Sequence, residues 1–176
     1  MVGDSFEFRG VNFREKFGIR IRKIDYLLPP KRARKRLIPG RHGMYDFGSE
    51  CFDERIIRIE CDLLKSLTRA EVREISALLK DKGKLILWDE PDKHYMGEVY
   101  TPSEIEEFPK AKMRTFTIEF ICEPFAYSET KYETLKLGSN DINYNGTIEA
   151  PCIIRLTNNS NINVKNITIK LTYRRK

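Results

Sequence analysis

Residues Arg55–Leu63 read R-I-I-R-I-E-C-D-L, and apolar and charged side chains alternate along most of this stretch. A period of two predicts a β-strand with one buried face. Thr68 and Glu71 follow with the spacing of a capping box, in which each side chain accepts a hydrogen bond from a backbone N–H at the start of a helix. Apolar residues with helical spacing accompany them, so we expect a helix over residues 69–80 that packs one face on a sheet.

Strand-like patterns recur on both sides of this unit. They occupy residues 6–13, 19–26, 84–88, 95–100 and 113–125, with a two-residue apolar interlude at 37–38. Short turns rich in glycine, proline and aspartate separate several of them. The chain therefore predicts an α+β fold that is mainly β, an antiparallel sandwich or split barrel with one packed helix.

The composition bounds the class of protein. The 176 residues carry a net charge of +6 and 40% hydrophobic residues, enough for one domain with a proper core or one domain with a small appendage. No apolar run approaches the roughly 20 residues of a membrane span. Residues 1–8 lack the basic start and the apolar stretch of a secretory signal. We therefore expect synthesis and folding in a cytoplasm, with no membrane partner.

The composition changes after Phe125. The chain becomes rich in Ser, Thr, Asn, Gly and Asp, and two strand-like stretches follow at residues 151–156 and 167–173. Because two isolated strands are marginal in water, they must join the first domain, pair with another subunit or begin a second β domain. The expected organisation is a domain over residues 1–127, a linker or arm over 128–150, and a partial or shortened β region over 151–176.

A basic loop joins two of the predicted strands. Residues 29–48 read P-P-K-R-A-R-K-R-L-I-P-G-R-H-G-M-Y-D-F-G and hold three prolines, three glycines and six basic residues. Proline and glycine favour a loop of fixed shape, and clustered cations contact phosphates or acidic protein surfaces. An acidic partner surface, nucleic acid and a merely solvated loop stay open, although no aromatic side chains for base stacking interleave the first five cations. The cations are Lys31, Arg32, Arg34, Lys35, Arg36 and Arg41.

The other motifs do not indicate catalysis or metal binding. Residues 46–48 match the magnesium tripeptide of kinases, but neither a glycine-rich phosphate loop nor an H-R-D loop accompanies them, so they predict a turn. The acidic residues at 89–92 suit a β-turn better than a calcium loop. The four cysteines form no C-x-x-C pair, and we expect Cys61 and Cys122 to be small buried hydrophobic residues. We expect no enzymatic activity, no cofactor and no metal.

A series of short motifs points to one family. Together with the basic loop and the helix, their order and spacing across residues 5–127 resemble the distal tail proteins of long-tailed bacteriophages with non-contractile tails, and their prophage relatives. The motifs are F-x-F-x-G at 6–10, F-G-I at 17–19, P-P at 29–30, I-P-G-R-x-G at 38–43, Y-D-F-G at 45–48, E-R at 54–55, W-D-E-P-D-K-x-Y at 88–95 and F-x-x-x-P-F at 120–125. Within the basic loop the family signature comprises Pro29, Pro30, Pro39, Gly40, Arg41, Gly43, Asp46, Phe47 and Gly48.

The resemblance implies a structural virion protein of the phage tail tip, made in the cytoplasm of a bacterial host. Copies would close into a six-fold ring that joins the tail tube protein to the baseplate hub or a tail-associated protein, and DNA would meet the ring only in transit. No residue would be catalytic. Two alternatives stay open, a tail-tube or tail-terminator ring component and, from another class, a basic nucleic-acid-binding β domain.

One departure from the family concerns the end of the chain. Family members usually continue into a second β-sandwich, often galectin-like, and residues 151–173 look like its opening strands. A carbohydrate- or receptor-binding role of such a domain is therefore not carried over to this chain.

Overall fold

A computed structural model describes residues 3–32, 35–46, 48, 51–100, 115–163 and 165–172. The chain divides into two units, Met1–Tyr132 and Glu133–Lys176. All helices and strands of the described residues belong to the first unit. No described helix has the length and apolar character needed to cross a membrane.

Short strands dominate the first unit. They are β1 (Phe6–Phe8), β2 (Val11–Asn12), β3 (Ile19–Tyr26), β4 (Lys35–Leu37), β5 (Met44–Asp46), β6 (Arg55–Leu63), β7 (Gly83–Leu87), β8 (Lys93–Val99), β9 (Thr115–Cys122) and β10 (Tyr127–Ser128). The helices are α1 (Phe13–Phe17) and α2 (Arg69–Leu79). The structure is thus mainly β, as the sequence predicts.

Most of the strands form one antiparallel sheet that curls on itself. They lie in the order β2-β1-β7-β8-β9-β6-β3, β10 also pairs with β8, and β4 pairs with β5 separately. The backbone N–H of Ile21 in β3 donates to the carbonyl oxygen of Asp4, just before β1, at 2.7 Å. Since β3 and β1 lie towards opposite ends of the strand order, this bond brings the ends of the sheet together. The sheet therefore agrees with the predicted split barrel.

Aromatic side chains fill the centre of the barrel. The ring centroids of Phe6 and Phe13 lie 4.4 Å apart, and those of Phe8 and Phe120 lie 5.2 Å apart. All four side chains are fully buried. Because alternate residues of a strand point to opposite faces, the F-x-F pattern at residues 6–8 places both rings of β1 on the core side.

β6 and α2 lie where the sequence predicts them. β6 pairs with β9 on one side and with β3 on the other, and Ile57, Ile59 and Cys61 face the core. The capping box of α2 is formed, since the N–H of Glu71 donates to Thr68 Oγ1 at 3.2 Å and the N–H of Thr68 donates to Glu71 Oε2 at 2.7 Å. The helix buries Val72, Ile75 and Leu79.

The prediction of a single helix was wrong, because the segment expected to continue a strand forms α1. The side chain of Asn12 accepts from the N–H groups of Arg14 and Glu15 at 3.0 and 3.2 Å, which satisfies donors that a helix start leaves free. Gly18 ends the helix with a φ of 69°. A helix of five residues is too short to show helical periodicity in the sequence, although its Asn cap and its closing glycine are visible there.

The prediction of two strands near the end of the chain was also wrong for the described residues. Residues 133–163 and 165–172 contain no helix or strand, and the side chain of Ile153 is 94% exposed. Apolar alternation produces a strand only where a neighbouring strand pairs its backbone and a core covers its apolar face. Residues 113–114 and 173 of the predicted strands lie outside the described residues, and the predicted domain boundaries stay a prediction.

Gly97 lies at a close approach between β8 and β9. A Cβ at this position would lie 2.5 Å from Cys122 Sγ and 2.8 Å from the carbonyl oxygen of Ile121 in β9. We expect Gly97→Ala to push β8 and β9 apart and to lower the free energy of unfolding by about 2 kcal/mol. Urea denaturation measures this loss, and Glu98→Ala at the exposed neighbouring position serves as the control. Equal stability of the two variants would contradict the close approach.

Candidate functional site: a basic two-stranded arm

The basic loop is a hairpin that continues the pairing of β3 with β6 beyond the barrel. The N–H of Leu27 donates to the carbonyl oxygen of Ile56 at 3.2 Å, and the N–H of Asp53 donates to that of Pro30 at 2.9 Å. Lys31 and Phe52 form the next bridge, and β4 and β5 pair further out. We call residues 28–53 the arm.

The two prolines of the arm do not prevent it from pairing. β3 ends at Tyr26, and proline cannot donate a backbone hydrogen bond. Pro30 nevertheless keeps its carbonyl group, which accepts from Asp53 and maintains the ladder. Of the apolar interlude at residues 37–38, Leu37 belongs to β4 and Ile38 lies just beyond it, and β4 pairs with β5 within the arm.

The tip of the arm is a turn that depends on glycine. Gly40 and Gly43 have φ values of 84° and 79°, in the left-handed region that favours glycine. The N–H of Arg41 donates to the carbonyl oxygen of Ile38 at 3.1 Å. The Arg41 guanidinium lies 4.8 Å from the centroid of the Tyr45 ring, which is within the range of a cation–π contact. This contact joins the tip to β5.

The outer part of the arm has two chemically different faces. Leu37 lies opposite Met44, and Arg36 lies opposite Tyr45. Because paired residues share a face and successive residues alternate, the apolar pair lies on one face and the Arg36–Tyr45 pair on the other. The side chains of Leu37 and Met44 are 72% and 66% exposed, so nothing in the described chain covers the apolar face.

The cations of the arm differ in their surroundings. Arg32 Nε binds Asp53 Oδ1 at 2.6 Å, and Lys31 Nζ lies 5.9 Å from the centroid of the Phe52 ring. Lys35 and Arg36 are exposed and make no ion pair within the described residues. Arg34 and Phe47 of the predicted site lie outside those residues. The structure thus brings the basic cluster and the family-motif glycines together on one hairpin.

A set of polar and aromatic side chains holds the root of the arm against the barrel. The Tyr26 hydroxyl, at the end of β3, donates to the carboxylate of Asp89 at 2.8 and 2.7 Å. The Tyr95 hydroxyl donates to Glu90 Oε2 at 3.1 Å, and the Arg55 guanidinium lies 5.1 Å from the centroid of the Tyr95 ring. We call Tyr26, Arg55, Asp89, Glu90 and Tyr95 the root cluster.

The pKa values of both tyrosines in the root cluster are raised. Burial raises the pKa of Tyr26 well above its ordinary value of 10.0, and the hydrogen bond to Asp89 and the charge of that carboxylate raise it further. Burial also raises the pKa of Tyr95, to about 12, and the charge of Glu90 adds to the effect. Both hydroxyls therefore stay protonated and available as donors at neutral pH.

The acidic turn at residues 89–92 serves this cluster. The N–H of Glu90 donates to the carbonyl oxygen of Leu87 at 3.2 Å, which confirms the predicted turn. The Asp89 carboxylate accepts a hydrogen bond from Tyr26. The Glu90 carboxylate accepts from Tyr95 and Lys93, so the two carboxylates do not converge on one point. No group of three His, Cys, Asp or Glu side chains among the described residues could hold a metal ion.

The root cluster was not predicted as a site. The turn motif at 88–95 was noted, but Tyr26 lies 63 residues away from Asp89 in the sequence and shows no local signal for this contact. Only the curling of the sheet brings the end of β3 next to the turn between β7 and β8. The rings of Phe52 and Phe125 form a second contact at the root, with centroids 5.3 Å apart. This contact was missed for the same reason, because the two residues are far apart in the sequence.

Replacing Tyr26 by Phe should loosen the root without unfolding the barrel. We expect a loss of about 1 kcal/mol in the free energy of unfolding, because one hydrogen bond to a carboxylate is removed. Hydrogen exchange at the amides of Leu27 and Asp53 should become about fivefold faster. Tyr100→Phe, at an exposed tyrosine, is the matched control. Unchanged exchange in Tyr26→Phe would show that the hydroxyl does not hold the arm.

The same variant has a pH signature. Because the pKa of Tyr26 is raised on folding, the unfolded chain loses this proton first as the pH rises. The stability linked to Tyr26 is therefore complete below pH 10 and is lost as the pH rises further. Unfolding measured between pH 8 and pH 11, a range set by the usual tyrosine pKa of about 10, should show a shallower alkaline loss for Tyr26→Phe than for the wild type.

Comparisons with known proteins agree with this architecture. Residues 11–122 match the family model of the phage tail protein RIFT-related domain. No curated protein sequence is similar enough to the chain to count as a relative.

Among solved structures, the fold is similar to that of the SPP1 Dit (gp 19.1) protein, described as a paradigm of the hub adsorption apparatus in phages that infect Gram-positive bacteria. The TM-score is 0.53 at 16% sequence identity, over 71% of this chain and 52% of that chain. This chain thus spans about half the length of the solved protein. Because the family model matches more than half of the residues, the chain belongs to the family of phage tail proteins with a RIFT-related domain.

Proposed function

We propose that this phage tail structural protein forms a closed six-fold ring at the tail tip. The ring joins the tail tube to the baseplate hub or a tail-associated protein, and DNA passes through it during ejection. The similarity to a hub protein of the adsorption apparatus favours the tip over the tube. In this role the chain works through its surfaces, without a catalytic residue or a cofactor.

The arm is the observation that carries the proposal. The arm continues the pairing of β3 with β6 through the bridge of Lys31 with Phe52, and it ends in the β4–β5 pair. Such an extension, with exposed cations and the exposed Leu37–Met44 pair, is suited to contact a molecule outside its own barrel. A monomer gains nothing from exposing such a surface.

Ring closure requires two different complementary patches on each subunit, because a head-to-tail interface is heterologous. The arm supplies one such patch and the outer face of the barrel can supply the other. The two faces of the arm also allow contact with two neighbours at once, which suits a ring member that binds other tail components. The root cluster supports this role by fixing the direction of the arm.

Native mass spectrometry and negative-stain electron microscopy of the purified full chain test the proposal. We expect a hexamer that appears as a single closed ring with a central opening. Stacked rings along a tube would favour the tail-tube alternative instead. Tight duplex DNA binding with a steep salt dependence, in a chain that stays monomeric, would favour the nucleic-acid-binding alternative.

A further inference from the structure

The outer face of β6, β8 and β9 carries an acidic patch with an apolar centre. Ile56 lies opposite Ile121, and Ile121 lies opposite Glu98, so the three share one row across the strands. Both isoleucines are half-buried, whereas their neighbours Ile57 and Phe120 are fully buried on the core side. The row therefore points outwards.

Three carboxylates accompany the Lys82 ammonium group on this face. Lys82 Nζ binds Glu123 Oε1 at 2.5 Å. Gly83 lies opposite Gly97 and Arg55 lies opposite Cys122, so Lys82 follows beside Glu98 and Glu54 follows beside Glu123. The hydrogen bond to Glu123 raises the pKa of Lys82, and the charges of Glu98 and Glu54 act in the same direction. Neither Glu54 nor Glu98 makes an ion pair within the described residues. We call Glu54, Ile56, Glu98, Ile121 and Glu123 the acceptor patch, whose net charge with Lys82 is negative.

We propose that the acceptor patch binds the arm of a second copy of this chain, through the face that carries Arg36, Arg41 and Tyr45. The proposal rests on the ring described above and names the surfaces that close it. Arginine and tyrosine, with tryptophan, are enriched among the residues that contribute most to binding at protein interfaces. The Tyr45 ring provides an aromatic surface for Ile56 and Ile121. Arg36 and Arg41 match the unpaired charges of Glu98 and Glu54.

The patch of the same subunit does not suit this arm. Glu54 and Ile56 lie at the start of β6, where the arm departs from the barrel. The tip lies beyond the β4–β5 pair, which itself follows the bridge of Lys31 with Phe52 along the arm. Folding the tip back onto its own root would break the bonds between Asp53 and Pro30 and between Arg32 and Cys51. Binding to a second copy covers both the arm and the acceptor patch without breaking these bonds.

Charge reversal in the full-length chain tests the pairing. We expect Arg36→Glu and Glu98→Lys each to raise the concentration for half-assembly about tenfold or more, because each places like charges together. The double variant R36E/E98K should return to within about threefold of the wild type, since the pair is restored with reversed sign. Arg73→Glu, on the exposed side of α2, changes the net charge as Arg36→Glu does and should leave assembly unchanged. Sedimentation equilibrium supplies the concentrations, and thermal unfolding shows whether each variant is folded.

The outcomes separate this inference from the proposed function. Wild-type assembly together with unchanged assembly of both single variants would overturn the docking of the arm and leave the ring in place. A double variant that assembles worse than either single variant would also overturn it. A wild type that stays monomeric up to its solubility limit would contradict the ring and the docking together. If one variant misfolds, Arg41→Glu with Glu54→Lys repeats the cycle on the second charge pair.

Discussion

The pairing of β3 with β6 is the constraint on which the rest of the structure depends. Within the barrel it runs from Ile19 opposite Leu63 to Tyr26 opposite Ile57, with one register shift between Ile21 and Lys23. The same ladder then leaves the barrel and becomes the arm. One set of backbone hydrogen bonds therefore both closes the core and sets where the arm begins. A change that disturbs this ladder affects folding and the interaction surface together.

The root cluster orients the start of the arm relative to the barrel. A two-stranded ribbon is marginal on its own, so an arm attached only by its ladder would lack a defined orientation. Tyr26 and Arg55, one at the end of each root strand, contact the turn and the strand that carry Asp89 and Tyr95. These contacts hold the root of the arm in a fixed relation to the barrel. A fixed arm loses less conformational entropy on binding than a free one, which favours assembly.

The sequence predicted the parts of the fold that are encoded locally. β6 and α2 were predicted correctly because alternation and a capping box are visible within a dozen residues. The prediction of strands at residues 151–156 and 167–173 was wrong for the residues that the structure describes, because a strand depends on partners that periodicity does not reveal. The basic cluster and the glycines of the arm were found by composition, whereas its hairpin form and the contact between Tyr26 and Asp89 arise from pairing over long sequence separations. Whether the basic cluster binds a partner stays a prediction.

A high-resolution electron cryomicroscopy map of the assembled ring would show where each arm goes. We expect continuous density for an arm that crosses the subunit boundary and places Tyr45 over Ile56 and Ile121 of the next copy. Arms packed against their own barrels, or an acceptor patch left open to solvent in a closed ring, would contradict docking of the arm on a neighbour.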